Sequence, residues 1–454
     1  MKKMTTVLLA GLLTLSAHAQ DNYTLEQCIE AAKAHNKALQ SAVLDIKMAD
    51  EQKKEAYTQY FPKISANVMA FQAFDKIMKG DGTVPMEIAM LGEQFMPLIG
   101  MPIEIRELNR MYSATLSVMQ PVYAGGQITT GNKLASLQQD VMQLQLEMKE
   151  KDIVGKVTEC FWQIASLRYQ LSTLDAADKQ LGAVYDNVEA YVKAGVTTSN
   201  DLLKVRLQQQ KLASNRLKVE NGLQVLQMLL AQQCGLGVKG IQITIPEDAM
   251  SLLAGDAGPM SLKAQDASSA SLGRTEYQLM QASVDAQAMQ VKMERGKLLP
   301  TVAVGLMGYN TGMGGMSDRV KQYMKTNMTN AMVLGTVSVP VSDWWGGTHA
   351  LRRQKLKLEQ AQNDLLDVQE KLAIDLESAW ANVVEAYKQI DILRTSVEEA
   401  AENLRMSQSN YKAGVENLTD LLDAETMHRQ AQNDLSSAVA NYQIALAQYR
   451  LKLE

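Results

Sequence analysis

The feature that most constrains this 454-residue chain is that it repeats itself. Lys193-Ala194-Gly195-Val196, followed by Asp201-Leu202-Leu203, returns 219 residues later as Lys412-Ala413-Gly414-Val415, followed by Asp420-Leu421-Leu422. Each copy lies between two long runs of helical periodicity. Each therefore reads as the tight turn of a helical hairpin, with glycine supplying the positive φ that ends the first helix. The repeat extends well beyond these tips. Phe61-Pro62 and Leu299-Pro300 both close a helix-like run and open an alternating one, 238 residues apart, and Asn36 and Arg274 share that offset. Pro121 and Pro340 end second alternating runs at an offset of 219, shortly before Gly125-Gly126 and Gly346-Gly347. The difference belongs to loops, because segment 75–112 is longer than its counterpart 311–331. Each half reads helix, strand, loop, strand, long helix, tip, helix.

The long helices carry a coiled-coil seam. From Leu358 the apolar positions run Ala361, Leu365, Val368, Leu372, Leu376, Ala379, Val383, Ala386, Ile390, Leu393, Val397, Ala400 and Leu404. The steps alternate between three and four, with one irregularity at Leu372–Leu376. In the first half Leu134, Leu137, Val141, Leu144 and Met148 begin a matching seam, which Ile153, Val157, Cys160, Ile164, Leu167, Leu171 and Leu174 continue after a register shift. A helix from near Gly126 to near Gly195 is roughly 100 Å long at 1.5 Å per residue. A plain antiparallel bundle and a tubular packing both fit this pattern.

Lys2 and Lys3, the apolar stretch Val7–Leu15 and Ala17-His18-Ala19 form the pattern of a cleavable export signal over residues 1–19. The cleavage point carries no cysteine, so no lipid anchor is expected there. Cys28, Cys160 and Cys234 are odd in number and scattered in sequence, which reads as buried small apolar residues rather than a disulfide framework. Loss of Lys2 and Lys3 takes the net charge from −5 to −7 with no basic block, so nucleic acid is not an expected partner. After the signal no apolar run reaches the eighteen residues of a spanning helix. If the chain enters a membrane, it does so as strands.

Four short alternating runs meet that condition. Ala114, Leu116 and Val118 face one way and Ser113, Thr115 and Ser117 the other. Val333, Val337, Val339 and Val341 alternate with Leu334, Thr336 and Ser338, and Ile64, Ala66, Val68, Ala70, Val302, Val304 and Leu306 complete the set. About ten residues suffice for a tilted strand to cross a bilayer. Four strands cannot close a barrel, and an open edge in hydrocarbon leaves backbone groups unsatisfied. Other copies must therefore complete the sheet: two copies give a filled eight-stranded barrel and three a twelve-stranded one with a bore. The alternative is a pair of soluble hairpins packed on the helices.

Tyr23-Thr24-Leu25-Glu26-Gln27 through Asn36, the Phe61-Pro62 and Leu299-Pro300 ends, Pro121 with Gly125-Gly126, and Tyr411-Lys412-Ala413-Gly414 running into Asp420-Leu421-Leu422-Asp423-Ala424 resemble the TolC-like outer membrane efflux protein family. The resemblance covers essentially the whole mature chain. It implies a mainly α protein with a transmembrane β-barrel. Four strands and long coiled-coil helices per protomer would form, as a homotrimer, a 12-stranded outer-membrane barrel continued by a periplasmic α-helical tube. On that layout residues 20–240 are the first repeat, with strands 63–74 and 113–123 and a tip near 195–200. Residues 241–272, including the strand-like Ile241–Ile245, form an equatorial linker. Residues 273–454 are the second repeat, with strands 301–310 and 332–342 and a tip near 414–419.

The resemblance further implies a passive exit duct of a tripartite efflux or type I secretion system, set in the outer membrane lipid and reaching into the periplasm. A periplasmic adaptor and an inner-membrane pump would be its partners. Asp201, Tyr411, Asp420 and Asp423 match the family's aperture positions, and Glu416 stands where some members carry an arginine latch. Asp420 and Asp423 are three apart on one helical face, so three copies would make an acidic, cation-selective ring. The plainer reading of these acids is that carboxylates suit helix N-termini. The tips Gly195, Val196 and Thr197 and Gly414, Val415 and Asn417 correspond to the adaptor-docking surface, and also read as ordinary small, polar turns. Asn417 or Tyr411 is the expected source of hydrogen bonds in place of the arginine latch.

Other chemistry fails on context. Gly235-Leu236-Gly237-Val238-Lys239-Gly240 matches a dinucleotide fingerprint but follows a helix and precedes a strand, the reverse of the required order. His35, His349 and His428 repeat no metal-ligand spacing. No nucleophile–base pair can be nominated, so no enzyme activity, cofactor or metal is expected. Met78, Met86, Met90, Met96, Met101 and Met111 crowd one presumed external loop and Met313, Met316, Met324 and Met328 the other. Thioethers bind Cu(I), but adaptable packing explains them equally. The competing function is a non-conducting periplasmic or surface coiled-coil protein.

Overall fold

The computed structural model of the chain describes residues 23–74, 110–245, 266–317 and 322–453. The signal, the loop methionines Met78, Met86, Met90, Met96 and Met101, and most of the linker 241–272 lie outside those residues. Helix α1 (Leu25–His35) opens with a reciprocal cap. The Gln27 amide donates to Thr24 Oγ1 at 3.3 Å and the Thr24 amide to Gln27 Oε1 at 2.9 Å. Asn36 ends α1 in an extended conformation and at once caps α2 (Lys37–Thr58) by accepting from the Ala38 amide at 2.8 Å. Its repeat partner Arg274 likewise takes an extended conformation between α5 (Ala267–Gly273) and α6 (Thr275–Gly296). Arg274 is buried, and it keeps its charge by pairing with Glu276 at 2.8 Å and Asp375 at 2.9 Å. The remaining helices are α3 (Gln127–Lys193), α4 (Ser199–Gln233), α7 (Asp343–Lys412) and α8 (Leu418–Leu453).

The chain divides into two compact units, one built from 48–139 and 283–362 and one from the remaining segments. The first holds an antiparallel sheet of order β1-β2-β3-β4, made of β1 (Lys63–Gln72), β2 (Arg110–Ala124), β3 (Thr301–Ser317) and β4 (Gln322–Ser338). The alternating runs fall in these strands except for Val339 and Val341, and all four expected ranges shift: β1 ends at Gln72 rather than at residue 74, and β2 covers 110–124 rather than 113–123. The third strand runs on to Ser317 instead of stopping at residue 310, and the fourth occupies 322–338 rather than 332–342. Pairing sets both limits. Ser338 lies opposite Thr301, the first residue of β3, and Pro340 has no N–H to continue a ladder, so Val339 and Val341 fall outside. Pro121 is tolerated inside β2 because the register shifts beside it, leaving Val122 as a bulge.

Among the described residues the second unit has two main apolar cores and a small third one of Leu404, Leu421 and Ala424. Phe161, Ile164, Leu230, Leu376, Val383, Ile390, Val439 and Tyr449 anchor the larger one. There the rings of Trp380 and Tyr449 pack tilted with centroids 5.2 Å apart, and those of Tyr387 and Tyr442 at 5.6 Å. The seam from Leu372 to Leu404 is thus largely buried, as is Ile153–Leu174. The earlier stretches, Leu134–Met148 and Leu358–Val368, are half-buried or exposed in the single chain. The three cysteines, far apart in sequence, all enter the larger core. A smaller core of Leu174, Leu181, Val188, Val205, Leu212, Leu418 and Leu422 lies beneath the hairpin tips.

Candidate functional site: a two-faced sheet and paired helical tips

Ladder register places strand residues on one of two faces. One face gathers Ile64, Ala66 and Val68, then Leu116 and Val118, then Val302, Val304 and Leu306, then Val333 and Val337. Val68 and Val333 on this face are 78% and 77% exposed, so nothing among the described residues covers them. The opposite face carries Ser65, Asn67, Ser113, Thr115, Ser117, Tyr309, Thr311 and Asn330 among methionines. Ser65 and Ser117 share a hydrogen bond at 2.7 Å across the strands there. Beside the start of β1, Tyr57 packs edge-on against Tyr60 and Phe61, each at 5.5 Å. All three rings are exposed, as is Trp345. An apolar face, a polar face and a group of exposed aromatics are what a bilayer selects on a barrel wall. Among the described residues no helix is long and apolar enough to cross a membrane.

The two tips share one backbone solution. At the first, Gly195 has φ 74°, its amide donates to the Val192 carbonyl at 3.0 Å, and the Val196 amide donates to Tyr191 at 2.9 Å. At the second, Gly414 has φ 73°, donates to Tyr411 at 3.1 Å, and Val415 donates to Asn410 at 2.9 Å. Both are Schellman caps, which satisfy the terminal carbonyls and leave Val196 and Val415 pointing outward. Gly235 makes the same cap at the end of α4, which removes the dinucleotide reading of 235–240.

The side chains break the symmetry. Asp201, in the first turn of α4, accepts from Thr197 Oγ1 at 2.6 Å, Thr198 Oγ1 at 3.3 Å and Lys204 Nζ at 3.2 Å. The Thr197 hydroxyl above all, with Lys204, holds its carboxyl below the usual range against a burial effect of opposite sign. Lys204 also donates to Thr419 Oγ1 at 3.2 Å, and Gln208 to Thr426 Oγ1 at 2.8 Å, tying α4 to α8. The equivalent Asp420 sits in the first turn of α8, where its amide donates to Asn417 Oδ1 at 3.0 Å. Its carboxylate and that of Asp423 are exposed and have no partner among the described residues. Glu416 accepts from the buried Ser407 Oγ of its own hairpin. Tyr411 is half-buried against the cluster of Leu404, Leu421 and Ala424, and burial pushes its phenol up, with smaller contributions from Tyr191 and Asp201. Within the protomer Asn417 Oδ1 caps its own helix and Tyr411 contributes packing, so neither side chain acts as a latch there.

Lys204, Ser407 and Thr419 were not singled out in the sequence, because single polar residues on helices carry no periodic signal. Neither was Glu425, seven residues into α8. Its Oε1 is enclosed with no hydrogen-bond partner among the described residues, and burial raises the carboxyl to about 7.

The family described as "Outer membrane efflux protein" matches residues 106–235 and 268–451. No curated protein sequence matches the chain. Among solved structures, CusC, studied for "transmembrane channel formation", is 14% identical with a TM-score of 0.75, over 97% of this chain and 95% of its own. The open-state MtrE outer membrane channel of Neisseria gonorrhoeae is 16% identical with a TM-score of 0.70, over 97% and 93%. VceC of Vibrio cholerae is 15% identical with a TM-score of 0.68, over 94% and 95%. At these identities the structures establish the fold, and the family match, spanning both repeats, establishes the rest: the chain belongs to the outer membrane efflux protein family and is an outer-membrane exit duct of an efflux system.

Proposed function

We propose that three copies of this chain form one duct, closed as a 12-stranded barrel by pairing β1 of each protomer with β4 of the next. The observation that carries this reading is the sheet order, in which β1 and β4 are both edges flanking an exposed apolar face. Unpaired backbone groups in hydrocarbon cost several kcal/mol each, so the edges need neighbours. The half-buried seam residue Leu365 and the exposed Leu356 and Leu366 of the same helix supply surface for the same neighbours.

In this assembly the polar face lines a water-filled bore, and cargo moves passively with energy supplied by an inner-membrane pump. The tips at 195–200 and 414–419 form the periplasmic aperture. Val196 and Val415, held outward by their glycine caps, are the apolar contacts offered to an adaptor. Asp201 is engaged within its own tip, so the acidic ring is built from Asp420 and Asp423. Native mass spectrometry of the detergent-extracted protein tests the stoichiometry. A trimer is expected. A detergent-free monomer contradicts the reading.

A further inference from the structure

Exported chains meet an oxidising compartment, where thiols held side by side become disulfides. Cys28 lies on α1 and Cys234 is the first residue after α4, 206 positions away. Both are completely enclosed. The Cys234 thiol donates to the Cys28 carbonyl oxygen at 3.4 Å, so the two residues meet inside the larger core. The backbone is pinned on both sides of the pair. The Tyr23 amide donates to the Gln242 carbonyl at 3.0 Å, and the Thr244 amide returns a bond to Tyr23 at 2.9 Å. Beyond α1, Asn36 Nδ2 donates to the Gln233 carbonyl at 2.7 Å. Gly235 lies so close to His35 that a Cβ there would stand 2.3 Å from the His35 carbonyl oxygen. Bonds at both ends of α1 thus fix it against the 233–244 segment with the thiols between.

We infer that Cys28 and Cys234 join as a disulfide in the exported protein, stapling the first helix to the end of α4, while Cys160 stays reduced. This accounts for the odd cysteine number, which reads from sequence as evidence against any disulfide. Cys160 is on α3 in the same core, where burial pushes its thiol up to about 11 and leaves it unreactive. Each thiol of the pair loses its hydrogen and the two sulfurs bond. The two electrons and two protons pass to the disulfide of a dithiol–disulfide exchange protein of the compartment, which opens to two thiols. Because the pair is sealed in the finished fold, the exchange takes place during folding, before α1 closes over Cys234.

The test uses the full chain in its native membrane. Cells are quenched in acid to block later exchange, and the protein is denatured and alkylated with or without prior reduction. Without reductant one label on Cys160 is expected, with a Cys28–Cys234 cross-linked peptide in the digest; after reduction all three cysteines label. Full labelling without reductant overturns the inference, as does a cross-link that includes Cys160. Cys160→Ser supplies a second reading: its unreduced form should take no label, and labelling of Cys28 and Cys234 there contradicts the pairing.

Discussion

Placing a charge at Val333 separates a wall facing lipid from a sheet facing water. Val333 pairs with Leu306 on the apolar face of β4, and its side chain is 77% exposed in the single chain. If that face is solvated, Val333→Lys is an ordinary surface substitution, worth about ±0.5 kcal/mol. If it meets hydrocarbon near the bilayer midplane, lysine costs about 2–4 kcal/mol in each protomer, roughly 6–12 kcal/mol for three copies. Asn330→Lys is the control, because Asn330 lies on the opposite, polar face of the same strand. There the expected cost stays below about 1 kcal/mol. Urea unfolding of protein reconstituted in phospholipid vesicles reads both variants. Equal effects at positions 333 and 330, or two effects within about 0.5 kcal/mol of zero, would refute the assignment of faces.

Three other outcomes follow from residues around the tips and cores. Gly414→Ala places a left-handed alanine in open space and should cost about 1–2 kcal/mol, whereas Gly235→Ala adds a clash with His35 and should cost about 3 kcal/mol or more by chemical denaturation. Glu425 has its carboxyl raised to about 7, so the folded chain binds its proton more tightly than the unfolded one and stability falls as pH rises from about 4.5 to about 7. Glu425→Gln should flatten that slope and stabilise the protein at pH 8 by about 1–3 kcal/mol; an unchanged slope would show that the carboxyl is not enclosed. Removing the exposed carboxylates in an Asp420→Ala/Asp423→Ala variant should lower the preference for cations, read as a shift in reversal potential across a salt gradient, whereas Thr197→Val should leave that potential unchanged.

What the sequence disclosed was what local physics controls. Gly195 and Gly414 could be placed as helix ends because a positive φ is a property of the residue itself. Leu116 and Ser117 could be assigned to opposite faces because side-chain direction alternates along any strand. The end of β4 at Ser338 was hidden, since it depends on where β3 begins rather than on the alternation that runs on to Val341. The meeting of Cys28, Cys160 and Cys234 depends on three helices packing together, and no spacing encodes it. Asp201 and Asp420 occupy equivalent positions in the repeat and look alike in sequence. Their difference arises from Thr197 and Lys204, which enclose the first carboxylate and have no counterpart engaging the second among the described residues.

Single-channel recording of the purified protein in planar bilayers tests the central claim most directly. Discrete conductance steps, favouring cations, are the predicted result. Protein that inserts without conducting, or that never leaves the aqueous phase, would contradict a duct and favour a coiled-coil structural role.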